Sequence, residues 1–249
     1  MQRTRSLPTS RQQRGISLFI VIVLVMLSML LALWGSRTSL FNEMIVGNDA
    51  DYQRAFEAAQ ALIQDAEFDI QGEQADGSPC NSSVAGATAD TCRLPPGAAV
   101  WFPNENKDVG PLLDSLSAAV TKCFKGVCLK RIGEQDFWND KTTLTAMMNE
   151  NVGARYGQFT GAQAGSSSNP ILAYNDPANN KDKGGWYWIE IMPYDSNAGN
   201  TGLITNGSTN LALNLTPAVA YRITAIAHGL KPSTQVVLQS TYVRQKLKN

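Results

Sequence analysis

A nearly uninterrupted apolar run, Ile16 to Trp34, follows a short leader and constrains the fold of this chain more than any other feature. Ser17 and Ser28 are its only polar residues. Because an α-helix rises about 1.5 Å per residue, the run would extend across about 28 Å, close to the thickness of a bilayer's hydrocarbon core. Residues 16–34 are therefore predicted to form a membrane-spanning helix.

The leader, residues 1–15, contains four arginines and no acidic residue. Positive flanks stay on the cytoplasmic side of a spanning helix, so the chain after Trp34 is expected outside the cytoplasm. No A-x-A-like signal cleavage site follows the apolar run, whereas the small residue Gly15 precedes it. Cleavage between Gly15 and Ile16 would keep the apolar helix at the mature N-terminus. An uncut signal anchor that tethers a domain is the alternative.

A glycine-terminated leader directly before an apolar helix resembles the prepilins of the type IV pilin superfamily. In that family the helix anchors the subunit in the inner membrane and later packs in the core of the filament. The usual family pattern has a glutamate at the fifth position after the cut, where this chain has isoleucine. The resemblance implies that the residues for membrane and filament packing are Phe19, Ile20, Val23, Leu27 and Leu30.

The isoleucine at position 20 bears on where such a subunit would sit. In the family, the glutamate neutralises the N-terminal ammonium of the preceding subunit in an apolar core, where an unpaired charge is costly. A subunit placed first in the filament meets no such ammonium. The departure therefore resembles tip or initiating subunits, namely PilX-like minor pilins and the K-type pseudopilins of type II secretion. A membrane-anchored relative that never polymerises is also compatible with Ile20.

The region directly after the apolar run extends the resemblance to PilX-type minor pilins through Glu43-Met44, Gly47-Asn48 and the AFEAA element at 55–59. The resemblance implies a role in starting type IV pilus assembly at or near the pilus tip. It implies as partners the inner membrane, the prepilin peptidase, the major pilin and other minor pilins, with a tip adhesin as a further candidate. The head would be periplasmic before assembly and extracellular in the pilus.

Residues 35–71 are predicted to extend the N-terminal helix beyond the membrane. An apolar stripe recurs there at spacings of three and four, which predicts a helix that lies on a sheet. The stripe consists of Phe56, Ala59, Ile63, Ala66 and Ile70. The opposite face is expected to be solvated, and it consists of Asp51, Arg54, Glu57, Gln60, Gln64 and Asp65.

Charge and length limit what the remaining chain can be. Removal of the leader leaves 17 basic and 21 acidic residues, a side-chain balance of −4. Phosphate binding needs clustered Lys and Arg, so a dedicated nucleic-acid binder is not indicated. Residues 72–249 suffice for one compact head domain, with loop-rich stretches at 72–110 and 153–185.

Four cysteines, at positions 80, 92, 123 and 128, are expected to form two disulfides outside the cytoplasm. Three connectivities are possible. Cys80 with Cys92 and Cys123 with Cys128 are favoured, because both pairs close short loops. A zinc site is the competing interpretation, but neither the spacing nor a neighbouring histidine supports it.

The 153–185 stretch is rich in Gly, Ser, Asn and Asp, which predicts an exposed or ligand-binding loop. Its oxygen-bearing side chains could bind calcium, although turn chemistry explains them without a metal and no EF-hand order is present. The calcium candidates are Asn175, Asp176, Asn179, Asn180 and Asp182.

Upstream, mixed helical spacing predicts short helices over 111–122 and 135–148.

Three runs rich in aromatic and β-branched residues, 186–192, 218–227 and 235–244, predict an antiparallel meander that receives the helix stripe. A further strand is expected within 203–215. The predicted fold class is α+β, a long N-terminal helix packed on a C-terminal sheet at 186–244, similar to a pilin roll. Trp186 and Trp188 share one strand face, where they serve either core packing or a partner-binding aromatic patch.

Catalysis has little support in the sequence. His228, the only histidine, lies in a predicted turn, and no nucleophile motif, phosphate loop or histidine cluster accompanies it. The chain is therefore expected to be non-enzymatic and to need no cofactor. Three functions remain open: a PilX-like minor pilin, a K-type tip pseudopilin, and an anchored periplasmic domain. The modest length disfavours the second, whose members usually carry a larger inserted helical domain.

Overall fold

The computed structural model describes residues 14–81, 91–93, 100–165, 168–176, 181–194, 215 and 217–244. Helix α1 spans Arg14–Gln71, so the predicted spanning segment and its extension are both helical. The chain forms two compact units, Met1–Asp49 and Ala50–Asn249. We call the second unit the head, and it includes the last 22 residues of α1 as well as the sheet.

After α1, the described part of the head contains two α-helices and five strands. The elements are α2 (Asn106–Ala118), β1 (Cys123–Phe124), β2 (Val127–Leu129), α3 (Lys141–Met147), β3 (Gly185–Pro193), β4 (Val219–His228) and β5 (Gln235–Tyr242). Short 3-10 helices lie at Thr91–Arg93, Phe137–Asn139 and Pro170–Ala173. The α+β class predicted from the sequence is confirmed.

The five strands form one sheet in the order β1-β2-β3-β4-β5. Strands β3, β4 and β5 are antiparallel neighbours, as predicted, with Ile189 opposite Ile223 and Ile223 opposite Ser240. Strands β1 and β2 were not predicted from the sequence, which indicated only a short loop closed by Cys123 and Cys128. Their turn residues Lys125 and Gly126 have φ of 50° and 82°, the left-handed conformation that closes a two-residue hairpin. Strand β2 then pairs with β3 in parallel.

One face of the sheet packs against the α1 residues of the head. Small side chains on α1 let the backbones of the helix and the sheet approach closely. Gly185 of β3 contributes to this close approach. A Cβ at Gly185 would lie closer to Cδ1 of Leu62 than two carbon atoms can approach. The shared core contains Ala55, Ala58, Ala59, Leu62, Ala66 and Ile70 from α1, and Tyr187, Ile189, Ile191, Tyr221, Ile223 and Ala225 from the sheet.

The other face of the sheet supports a second apolar cluster. Trp186 and Trp188 are fully buried there, and the Phe137 ring lies edge-on to Trp188 with 5.1 Å between ring centroids. Met147 of α3 and the Cys123–Cys128 pair complete the layer. Of the two interpretations of the tryptophans, core packing is therefore correct.

The two short helices differ from their predicted bounds. Helix α2 begins at Asn106 rather than at 111, so Pro111 lies inside it, and it ends before Ala119, which is extended. The 135–148 segment is divided by Asp140, whose side chain accepts a hydrogen bond from Thr143 N at 2.7 Å and caps α3. An N-cap residue has non-helical backbone angles, so a single helix cannot pass through Asp140.

The 153–185 stretch was predicted to be an exposed or ligand-binding loop, and its described residues are exposed only in part. Arg155, Phe159, Thr160 and Ile171 are all buried. Phe159 and Ile171 enter the head's core, and the Thr160 hydroxyl donates to Asp65 of α1. Arg155 donates to the carbonyls of Lys183 and Gly185, and Gly157, at φ 71°, permits the turn that follows it. The strand predicted within 203–215 lies outside the described residues, apart from Leu215.

Candidate functional site

The first half of α1 presents an apolar surface to its surroundings. The five packing residues inferred from the sequence are between 38% and 68% exposed, and within the Met1–Asp49 unit the described residues have none that is buried. The most apolar window of the helix has a mean hydropathy of 3.1, so the helix is long and apolar enough to cross a membrane. Exposed apolar area costs about 25 cal/mol per Å², and this helix therefore requires lipid or other proteins around it.

The proposed cleavage junction lies at the start of this helix. Helix α1 begins at Arg14, so the bond between Gly15 and Ile16 is within its first turn, while residues 1–13 lie outside the described part. Ile20 lies about one turn further along and is 52% exposed. The first acidic residue after Ile16 is Glu43, about seven turns from the junction.

In the head, α1 binds three separate segments through buried carboxylates. The first is Asp51, which accepts hydrogen bonds from Leu230 N at 2.9 Å and Lys231 N at 3.1 Å. Both donors belong to the loop between β4 and β5. Burial alone would raise the pKa of Asp51, but hydrogen bonds from Thr234 and these two amides outweigh burial, so the pKa is lowered.

The second carboxylate, Asp65, binds the 153–165 segment. It accepts a hydrogen bond from Gly157 N at 2.8 Å and a short one from the Thr160 hydroxyl. Only 2% of Asp65 is exposed, and no cation forms an ion pair with it in the described part of the chain. Burial is the largest influence on its pKa and raises it to about 7.

The third carboxylate, Asp69, forms a buried ion pair with Arg93. The Arg93 guanidinium donates to both carboxylate oxygens of Asp69, at 2.8 to 3.0 Å, and stacks 3.4 Å from the ring centroid of Phe159. The Tyr187 hydroxyl donates to Asp69 at 3.3 Å. Burial raises the pKa of Asp69, and the charge of Arg93 acts in the opposite direction.

The sequence placed Asp51 and Asp65 on a solvated face, and for these two residues it was wrong. Arg54, Glu57, Gln60 and Gln64 are exposed as predicted. Asp69 was not singled out, although it directly precedes Ile70 of the apolar stripe. Spacings of 14 and 18 residues from Asp51 correspond to about four and five helical turns, so all three carboxylates share one side of α1. That spacing was the signal available in the sequence.

The cysteines form the two favoured pairs. Cys80 is bonded to Cys92 with 5.4 Å between their Cα atoms, and Cys123 to Cys128 with 4.0 Å. The residues 82–90 enclosed by the first pair lie outside the described residues. Within the described part of the chain, no group of three His, Cys, Asp or Glu side chains could hold a metal ion.

Two of the calcium candidates face a protein cation. Burial lowers the pKa of Arg155 to about 10, and the charges of Asp176 and Asp182 act in the opposite direction. The Arg155 guanidinium also lies 3.8 Å from the ring centroid of Trp186. Asn179 and Asn180 lie outside the described residues.

His228 is the last residue of β4 rather than part of the following turn. Its pKa is lowered by burial and by the nearby Arg155. Its backbone N–H donates to Gly184 O at 2.8 Å, and no hydrogen-bond partner of Nε2 is found among the described residues. This environment favours a neutral, structural histidine at the end of the strand.

A family model described as Type IV pilus assembly protein PilX C-term matches residues 77–244, more than half of the chain. The chain belongs to the PilX family. A second model, PilX N-terminal, matches residues 14–63 and so includes the apolar half of α1. No curated protein and no solved structure matches the chain.

Membership of the PilX family confirms the resemblance found in the sequence. The chain is a type IV pilus minor pilin, and its family is structural rather than catalytic. As a PilX protein it interacts with other components of the pilus, and its apolar helix suits it to a membrane anchor.

Proposed function

We propose that this PilX-family chain helps to start type IV pilus assembly and sits at or near the pilus tip. The observation that carries the proposal is Ile20. From Ile16 to Asn42 the exposed apolar helix contains no carboxylate, so it offers nothing to neutralise the ammonium of a subunit placed ahead of it. A subunit with no predecessor needs no such carboxylate.

The proposal includes cleavage between Gly15 and Ile16 by the prepilin peptidase. The new ammonium at Ile16 would then begin the helix and could meet a glutamate of the subunit added next. Before assembly, residues 16–34 hold the chain in the inner membrane with the head in the periplasm. After assembly, Phe19, Ile20, Val23, Leu27 and Leu30 pack against the helices of the major pilin or of other minor pilins, and a tip adhesin is a candidate neighbour.

N-terminal mass spectrometry of the membrane-purified chain tests processing first. A chain that begins at Ile16 supports the pilin role and preserves the apolar helix. An intact Met1 favours the alternative of an uncut anchor that never polymerises, and loss of the whole apolar segment contradicts every part of the proposal.

The position in the fibre is tested with Ile20→Glu, and Ile20→Gln is the control of similar size without charge. All four cysteines are bonded, so Gln163→Cys, at an exposed position, supplies a unique thiol for a gold label. We expect terminal labels in wild-type fibres and in Ile20→Gln fibres. In Ile20→Glu we expect lateral labels or fewer fibres, because an unpaired acid in an apolar environment costs about 3 kcal/mol.

The outcome that would contradict this reasoning is terminal labelling and normal fibre number in Ile20→Glu. In that case the missing acid does not define the position of the subunit. Lateral labels in the wild type would instead exclude the tip position while leaving a role in assembly intact.

A further inference from the structure

A groove in the head lies on the face of the sheet that does not contact α1. It has a volume of about 470 Å³ and runs between the β1–β2 hairpin, α3 and strand β3. Its floor is apolar and consists of Phe137, Met147, Trp188 and the bonded Cys123 and Cys128. A concave, mostly apolar site of this size is typical of a binding pocket.

Two aliphatic side chains at the edges of this groove are almost entirely in solvent. Val120 and Ile132 are each 98% exposed, and both line the groove. Single exposed aliphatic residues are ordinary on protein surfaces, whereas a group of them around a concave apolar floor indicates an interaction site. A bound partner would remove both side chains from water.

The polar part of the groove is cationic. Lys122, Lys130 and Arg131 line it, and no ion pair involves them in the part of the chain that the structure describes. The one carboxylate among the lining residues, Glu190, is neutralised by Arg222, with 2.6 Å between Arg222 Nε and Glu190 Oε2. The groove therefore combines an apolar floor with an excess of positive charge.

We propose that this groove binds a segment of another protein in which a bulky apolar side chain is flanked by carboxylates. The apolar side chain would cover the floor between Val120 and Ile132, and the carboxylates would meet Lys122 and Lys130. Nucleic acid fits less well, because Phe137 and Trp188 are buried by their own packing and offer no face for base stacking. The proposal does not depend on whether the chain lies at the pilus tip.

The test begins with the full chain in lipid nanodiscs, panned against a displayed library of random 12-residue peptides. We expect enriched peptides to contain Asp or Glu on both sides of Leu, Ile, Met or Phe. The most enriched sequence is then synthesised with a fluorescein label, and its dissociation constant is measured by fluorescence anisotropy.

Matched pairs of variants separate the groove from the rest of the head. Lys130→Glu reverses a charge in the groove. It should weaken peptide binding about tenfold at low salt, because charges a few ångströms apart interact strongly when salt does not screen them. Lys181→Glu reverses an exposed charge that does not line the groove and should change binding less than twofold. Ile132→Ser should weaken binding about fivefold, whereas Leu230→Ser, at a 50% exposed position in the β4–β5 loop, should not.

All four positions are exposed, and tryptophan fluorescence on heating confirms that each variant is folded. Enrichment of basic or uncharged peptides would overturn the proposal, as would no enrichment or equal losses in the groove and control variants. Self-association of the full chain in detergent, measured by sedimentation and abolished by Ile132→Ser, would assign the groove to a second copy and would also overturn it.

Discussion

Replacement of Asp65 with asparagine tests how α1 is held in the head. Asp65 is buried, and its pKa is raised to about 7, whereas an aspartate in the unfolded chain has a pKa of about 3.9. Between these values the folded protein binds more protons than the unfolded one, so stability falls as pH rises. Linkage gives a loss of about 3 kcal/mol from this residue between pH 5 and pH 8. Asparagine does not ionise and should not show this loss.

The measured quantity is the difference in free energy of unfolding between Asp65→Asn and the wild type at several pH values. Urea unfolding of the full chain in a non-ionic detergent can be followed by tryptophan fluorescence, because Trp186 and Trp188 are buried in the head. His228 titrates in both proteins and is not among the groups that shift the pKa of Asp65, so its contribution cancels in the difference. From pH 5 to pH 8, the free energy of unfolding of the variant should rise by about 3 kcal/mol relative to that of the wild type.

A constant difference across this range would refute the reasoning, because it would mean that the pKa of Asp65 is not raised by burial. If the hydrogen bonds from Gly157 and Thr160 stabilise the charged carboxylate more than burial penalises it, the difference should be constant above pH 5 and should change only below about pH 4, where the unfolded aspartate titrates. The constant offset between the two proteins is not part of the prediction, since asparagine changes those hydrogen bonds at every pH.

Two further substitutions test other contacts of α1. Asp51→Asn should lower the free energy of unfolding by about 1–2 kcal/mol at pH 7. This cost should shrink below about pH 4, because a carboxylate with a lowered pKa stabilises the fold only while it is charged. A cost that stays constant down to pH 2 would contradict this. Gly185→Ala should cost about 1–3 kcal/mol through the clash with Leu62, and less in a Leu62→Ala background, as measured by urea unfolding; equal costs in both backgrounds would exclude that clash.

The elements with strong local patterns could be predicted from the sequence. The apolar run and the stripe at residues 56–70 predicted α1. The aromatic and β-branched residues of 186–192 and 218–227 predicted β3 and β4 to within one residue at each end. Strands β1 and β2 have two and three residues, too few for any period to appear, and β2 is defined by its parallel pairing with β3. Such pairing depends on residues about 60 positions apart and has no local signal.

The carboxylates show why burial is harder to predict than secondary structure. Asp51 and Asp65 lie at the border of the apolar stripe, where their exposure depends on which loops of the head cover them. The covering groups are the amides of Leu230 and Lys231 and the Gly157–Thr160 turn, and polarity alone suggests that such loops stay in solvent. The cleavage junction at Gly15 stays a prediction, and it rests on composition and residue order without any tertiary contact.

The partners of the three carboxylates also set an order for folding. Asp69 pairs with Arg93, 24 positions later, whereas Asp65 and Asp51 bind amides 92 and 179 positions later. During synthesis from the N-terminus, this stretch of helix appears before all three partners, so its hydrated charges keep the alanine-rich surface soluble until they arrive. Contacts between residues so far apart in the sequence make folding slow. The helix can complete its contacts with the head only when the β4–β5 hairpin has formed.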